Sequence, residues 1–148
     1  MQRYLYEAFH SRLQQDHPHL GNEELSELVS KYVSRPVADS LHPSPHLTGA
    51  SIDLSLLDSV GKMVEMGTGF DDFTERSRTR YYEELEQHAG RLGNKERIVR
   101  DHRRLLFHVM AYAGFTNYSE EWWHFDYGNQ FWARVTGEPT ALYSHCSL

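Results

Sequence analysis

Residues 94–126 read NKERIVRDHRRLLFHVMAYAGFTNYSEEWWHFD, and the change of period within this stretch decides the fold. Asn94 is a good helix cap, and Ile98, Val99, His102, Leu105, Leu106, Val109, Met110 and Ala113 recur at helical spacing. Gly114 is a stop. The pattern predicts a long helix packed on a sheet. Beyond the glycine the period shortens, and Phe115 to Tyr118 and Glu121 to Asp126 read as short strands. Tyr127-Gly128-Asn129 then reads as a hairpin turn into a further strand, Gln130 to Val135.

Upstream, Ser51 to Leu57 alternates, with Ile52, Leu54 and Leu56 on one face and Asp53 and Ser55 on the other, as a half-buried strand does. Asp58 to Lys62 is turn sequence, and Met63 to Met66 is expected to pair back as a hairpin partner. A glycine-punctuated loop, residues 67–73, and a surface helix from Ser77 to Ala89 complete this region. Near the start, Leu5, Ala8, Phe9 and Leu13 predict a first helix. Asn22 caps a second with Leu25, Leu28, Val29, Tyr32 and Val33 on one face, which Pro36 ends. Three prolines hold residues 34–45 extended. Helices are separated from strands rather than alternating with them. That predicts a single α+β domain over residues 1–148, a small antiparallel-rich sheet with helices on one side and the functional site in a cleft on the sheet.

With 148 residues the chain is long enough to bury a core without a metal or disulfides. Fifteen basic residues stand against 21 acidic ones, a net charge of -6, and the basic residues are scattered, which argues against nucleic-acid or anionic-membrane partners and for a small substrate. Cys146 is the single cysteine, so neither an internal disulfide nor a cysteine zinc motif is expected. Neither a membrane span nor a signal region is read in the sequence, and a cytoplasmic address is the expectation.

Chemistry concentrates in two segments, Ser44 to Asp53 and Glu121 to Phe125. Between them they supply two histidines, an aspartate and a glutamate, the side chains a catalytic zinc needs when three ligands leave one position open. An ionised Asp53 among Ile52, Leu54, Leu56 and Leu57 is costly unless it is paired or metal-bound. His46 lies seven positions earlier, on the wrong face of a regular strand, but Gly49 permits a turn that brings the two together. Glu121 and His124 are three apart and converge only if Glu121 sits in a turn before the strand. A helical pairing of His42 with His46 is excluded by Pro43 and Pro45. Spacing alone leaves the metal reading and an ordinary structural one level, because Glu-x-x-His is a short pattern. Trp122 and Trp123 read as core residues that wall in His124.

The order of the motifs resembles the D-alanyl-D-alanine dipeptidase family of zinc peptidases: Ser-x-His-x-x-Gly-x-x-x-Asp at 44–53, Met66-Gly67-Thr68-Gly69-Phe70-Asp71, then Glu121-Trp122-Trp123-His124 after a long helix. The likeness runs from the first helix to about Trp132. It implies one Zn2+ per chain on His46, Asp53 and His124, with Glu121 as the catalytic base. It also implies that Ser44 helps hold the substrate carboxylate and that Asp71 meets its free ammonium. For Asp71 with Asp72 a solvated loop pair or helix cap, and for Ser44 a turn hydroxyl, are the alternatives. Two departures stand out. Ala50-Ser51 reverses the family's Ser-Ala order, and the family's upstream Asp-Gly-Tyr-Arg-Pro segment, whose arginine stabilises the oxyanion, is absent; Arg35-Pro36 does not replace it. The expectation is a family chain lacking its N-terminal strands, with a sheet edge and apolar surface left open. A peptidoglycan D,D- or L,D-carboxypeptidase, or a zinc-binding domain with little activity, are the other functions this leaves.

Overall fold

The computed structural model describes residues 2–32, 43–72 and 74–144. The chain divides into two compact units, Met1–Ser44 and Pro45–Leu148. The side chains of Leu5, Ala8 and Phe9, the segment with Val33, Arg35, Pro36 and His42, and Cys146 lie outside the described residues.

The first unit is a pair of helices, α1 (Gln2–Asp16) and α2 (Asn22–Tyr32). Between them the chain turns through Leu20, whose N–H donates to the His17 carbonyl. The Gly21 N–H donates to the Glu24 carboxylate at 3.0 Å, which satisfies one of the free donors at the start of α2. Glu23 and Glu24 place negative charge at the positive end of that helix. Leu25 and Val29 form its buried stripe.

The second unit begins with a 3-10 turn, Pro45–Thr48, followed by β1 (Ser51–Asp53), a second 3-10 turn, Glu75–Ser77, α3 (Tyr81–Ala89) and α4 (Asn94–Tyr112). It ends with β2 (Thr116–Asn117), β3 (His124–Asp126) and α5 (Gln130–Thr136). The strands form one antiparallel sheet in the order β1-β3-β2. The architecture is α+β. Its core is Met66, Leu106, Met110, Trp122, Trp123 and Phe125, backed by Leu54, Leu56, Val64 and Phe115. Each of the two tryptophans contributes on the order of 2–3 kcal/mol by leaving water.

Several elements differ from the sequence expectation. Only Ser51–Asp53 of the 51–57 run is strand. Its continuation makes one bridge, Leu57 to Met63, around a turn in which the Asp58 carboxylate accepts from Val60 and Lys62 N–H. Ile52 is exposed, because β1 is an edge strand too short to be covered on that face. α3 starts at Tyr81 rather than Ser77. Residues 130–136 are a helix, not a strand. Asn129 caps it by accepting from the N–H of Phe131 and Trp132, and Gly137 ends it at φ 80°.

The long helix buries a narrower stripe than its apolar pattern suggests: Val99, Arg103, Leu106 and Met110 face inward. Ile98, Leu105, Val109 and Tyr112 remain exposed. Arg103 is 3% exposed, donates to the carbonyls of Met66 and Arg78, and lies over the rings of Tyr82 and Trp122. Burial lowers its pKa to about 10, so it stays charged at neutral pH. Among the described residues no helix is long and apolar enough to cross a membrane.

Gly67 has φ 85°, and a Cβ there would lie 2.4 Å from the Tyr82 hydroxyl and 2.9 Å from Val99. Tyr82 is buried and its hydroxyl accepts from Arg76, so neither neighbour yields easily. Gly67→Ala is therefore expected to cost on the order of 2–5 kcal/mol, backbone strain and overlap together. Urea unfolding checks this: a midpoint equal to that of the wild type contradicts the packing.

Candidate metal centre

The register of β1 against β3 assembles the site. Asp53 lies directly opposite His124, and Ser51 directly opposite Asp126. Because alternate residues of a strand share a face, these four polar side chains form one block on the same side of the sheet. Phe125 points the other way, 1% exposed, into the core. A further ladder bond, Leu54 N–H to the Trp123 carbonyl at 3.1 Å, holds that register.

His46 arrives from the 3-10 turn. Thr48 Oγ1 donates to the Pro45 carbonyl and accepts from Ala50 N–H, and Gly49 takes φ 68°, the left-handed conformation that folds the chain back over β1. His46 Nε2 comes to 3.1 Å from His124 Nδ1 and 3.5 Å from Asp53 Oδ2. His124 Nδ1 is 3.1 Å from Asp53 Oδ1. One ligand atom from each of the three lies within 4.8 Å of the others.

These residues fit a metal ion. Ligands about 2.0–2.1 Å from a tetrahedral zinc stand roughly 3.3 Å apart, the spacing seen between these atoms. Two ring nitrogens and a carboxylate that converge on one point are a suitable ligand set for a cation that displaces the His124 proton. The side chains of His46 and Asp53 are 48% and 37% exposed and that of His124 is 7% exposed, so one side of the group stays accessible.

Glu121 sits in the turn before β3. Its N–H donates to the Tyr118 carbonyl, its own carbonyl accepts from Asn117 Nδ2 and His124 N–H, and Oε2 is 3.8 Å from His124 Nδ1. Burial raises its pKa to about 7, against the pull of His124. His124 is pulled down by burial, but hydrogen bonds to Asp126 and Asp53 outweigh this and lift it to about 9. His46 is lowered by burial, with Asp53 opposing. Asp71 has φ 54°, and burial, then repulsion from Asp53, raises its pKa; it therefore shares the field of the cluster. Ser44 is the last residue of the first unit and is half-buried.

From the sequence, Asp126 is given no role at the site, and Ser51 is marked only as a departure from the family order and Asn129 only as a turn residue. Asp126, 4% exposed, accepts from His124 Nε2 at 3.2 Å, from Asn129 Nδ2 at 2.6 Å and from the Ser51 hydroxyl. Burial opposes its ionisation, yet these donors hold its pKa below the usual carboxylate range. Its spacing of two from His124 was the available signal.

A family described as D-ala-D-ala dipeptidase matches residues 11–139. A D-alanyl-D-alanine dipeptidase of Synechocystis sp. is 40% identical over 98 residues, 66% of this chain and 40% of that protein. The protein of that name from Escherichia coli is 38% identical over 90 residues, 61% of this chain and 41% of the relative. The one from Enterococcus faecalis is 37% identical over 108 residues, 70% and 44% respectively. The chain thus spans about two fifths of the length of these relatives.

Glu121 and His124, the two groups raised furthest, dominate the pH dependence of the metal-free protein; the raised Asp71 adds in the same sense and the lowered His46 opposes them. Glu121 holds its proton to about 7 when folded against an ordinary 4.5, and His124 to about 9 against 6.5. The folded state therefore binds more protons than the unfolded chain across these windows, and stability falls as pH rises through them. In chelator-treated protein the denaturation midpoint is expected to decline from about pH 5 to about pH 9. Glu121→Gln should flatten the part between about 4.5 and 7 and leave the part above it. A slope unchanged by that substitution contradicts the assigned environment of Glu121.

Proposed function

Because the chain belongs to the D-ala-D-ala dipeptidase family, we propose that it is a zinc peptidase that hydrolyses small dipeptides, with D-alanyl-D-alanine as the first candidate substrate. The observation that carries this reading is the convergence of His46, Asp53 and His124 beside a buried glutamate with a pKa of about 7. His46 through Nε2, Asp53 through its carboxylate and His124 through Nδ1 would hold the ion. When bound, zinc supplies Lewis acidity, which polarises a carbonyl and makes water acidic near neutral pH.

The remaining steps belong to the chain. Glu121 takes the proton from the attacking water and returns it to the leaving amine, a task suited to a carboxyl group whose pKa lies near the working pH. Its partial burial keeps it from ionising too early. Asp71, within the field of Asp53 and His46, is proposed to receive the substrate ammonium, and Ser44, by its place in the motif, to hold the substrate carboxylate. Reading both ends would restrict the site to free dipeptides. The 148 residues contain no Asp-Gly-Tyr-Arg-Pro segment. Without that oxyanion donor, turnover by these residues alone is expected to be slower by on the order of a hundred- to a thousandfold.

Glu121→Gln is expected to retain zinc and lose hydrolysis, while His124→Ala loses the metal. Metal analysis alongside a D-alanyl-D-alanine assay separates the two, and full turnover by Glu121→Gln would remove the mechanism. At about a thousand times its dissociation constant zinc should add roughly 4 kcal/mol to stability, so a chelator should lower the melting temperature. An unchanged melting curve speaks against a bound ion. An N-acylated dipeptide should be a poor substrate, and efficient cleavage of acylated peptides would favour a carboxypeptidase instead.

A further inference from the structure

Three donors converge on a single oxygen, Asp126 Oδ1: His124 Nε2, Ser51 Oγ and Asn129 Nδ2. Their donor and acceptor roles are set in order from the start of α5. The Asn129 amide oxygen is occupied by the N–H groups of Phe131 and Trp132, each at 3.0 Å. The amide must therefore present its NH2 end to Asp126 and to Ser51 Oγ, 3.0 Å away. Ser51 Oγ accepts that contact and donates its own O–H to Asp126. An oxygen that receives three donors is an acceptor only, so the hydrogen between Asp126 and His124 must sit on Nε2. A neutral imidazole has a single N–H, and the lone pair is left on Nδ1, the atom that faces His46 and Asp53.

We propose that Asp126 is a positioning residue for the metal centre, which fixes His124 as its Nε2–H form with Nδ1 open to the ion, and that Asn129 sets the polarity of this contact from the helix cap. The proposal rests on the metal reading of His46, Asp53 and His124. It assigns α5 a part in metal binding although α5 contributes no ligand. Asn129 is 0% exposed and couples two tasks, the cap and the clasp. Partners of this kind orient a ligand ring and raise its basicity, and their loss typically weakens metal binding 10- to 100-fold.

The test measures zinc affinity by competition with a chromophoric chelator. Asp126→Asn preserves shape and can keep an oxygen where the three donors point, but it removes the negative charge that holds the hydrogen on His124 Nε2, and affinity is expected to fall by about 10- to 100-fold. Asn129→Asp keeps a good helix cap while removing the donor and setting two carboxylates together. A purely structural role in capping predicts unchanged affinity for this variant, whereas the clasp predicts a loss. Long-range 1H–15N spectra of the zinc-loaded wild type read the ring directly and are expected to show His124 protonated at Nε2, whether or not either variant folds. Wild-type affinity in Asp126→Asn, or a His124 protonated at Nδ1, overturns the role of Asp126 and leaves the metal reading standing. A wild type that takes up no zinc overturns both.

Discussion

The pairing of Asp53 with His124 across β1 and β3 is the constraint on which the site depends. A slip of one residue would turn His124 and Asp126 to the core and bring Phe125 to the polar face. The slip is opposed where the cost is greatest: Phe125 and Trp123, each 1% exposed, must stay in the core, and this fixes the phase of β3. β1 follows through the bonds of Leu54 N–H to Trp123 and of Tyr127 N–H to Ala50. Apolar burial thereby places a polar cluster, and three short strands suffice because the core, rather than the length of the ladder, sets the register.

The loop over residues 66–71 is tied to the same core from behind. Trp122 donates through Nε1 to Thr68 Oγ1 at 2.8 Å, and Phe70 stacks on its ring at 5.5 Å. Arg103 reaches from α4 to the Met66 carbonyl beneath them. Among the described residues no carboxylate pairs with this guanidinium within 4.0 Å, and two backbone carbonyls and two aromatic faces take that place. Two of its three nitrogens donate to backbone carbonyls, and a buried charge held in this way is costly to displace, so α4, the loop bearing Asp71 and the segment bearing Glu121 are held as one piece.

Much of this was readable in the residues, and what was not has particular causes. Gly49 was assigned the backbone freedom needed to bring His46 over Asp53, and it takes φ 68°. Glu121 was required to sit in a turn before the strand, and it does. The two tryptophans read as core, and they are. By contrast, Gln130 to Val135 reads as a strand once Tyr127-Gly128-Asn129 is taken for a hairpin turn. That reading overlooked Asn129 as a cap and Gly137 as a stop, the two residues that decide for a helix. Misreading α5 and missing Asp126 are one error, since a hairpin turn at 127–129 leaves Asn129 no reason to point at Asp126. The stripe of α4 was drawn too wide, because apolar period alone cannot distinguish the covered face of a helix from an equally apolar exposed one, and the inward Arg103 carries no such signal.

Two carboxylates flank His124, and their environments drive them apart. Asp126 is met by three donors and stays ionised well below neutral pH. Glu121 is buried, the field of His124 and one hydrogen bond with Trp123 do not offset that burial, and it holds its proton to about 7. The difference is one of hydrogen-bond supply rather than of residue type: a carboxylate surrounded by donors serves as a fixed negative partner, and one with too few can exchange a proton near neutrality. Each property excludes the other's task. A Glu121 supplied with three donors would be too weak a base to take a proton from water, and an Asp126 deprived of them would be protonated where His124 needs an acceptor. The sheet separates the two by geometry alone, since Asp126 follows His124 by two residues on the strand and faces Nε2, while Glu121 precedes it in the turn and faces Nδ1.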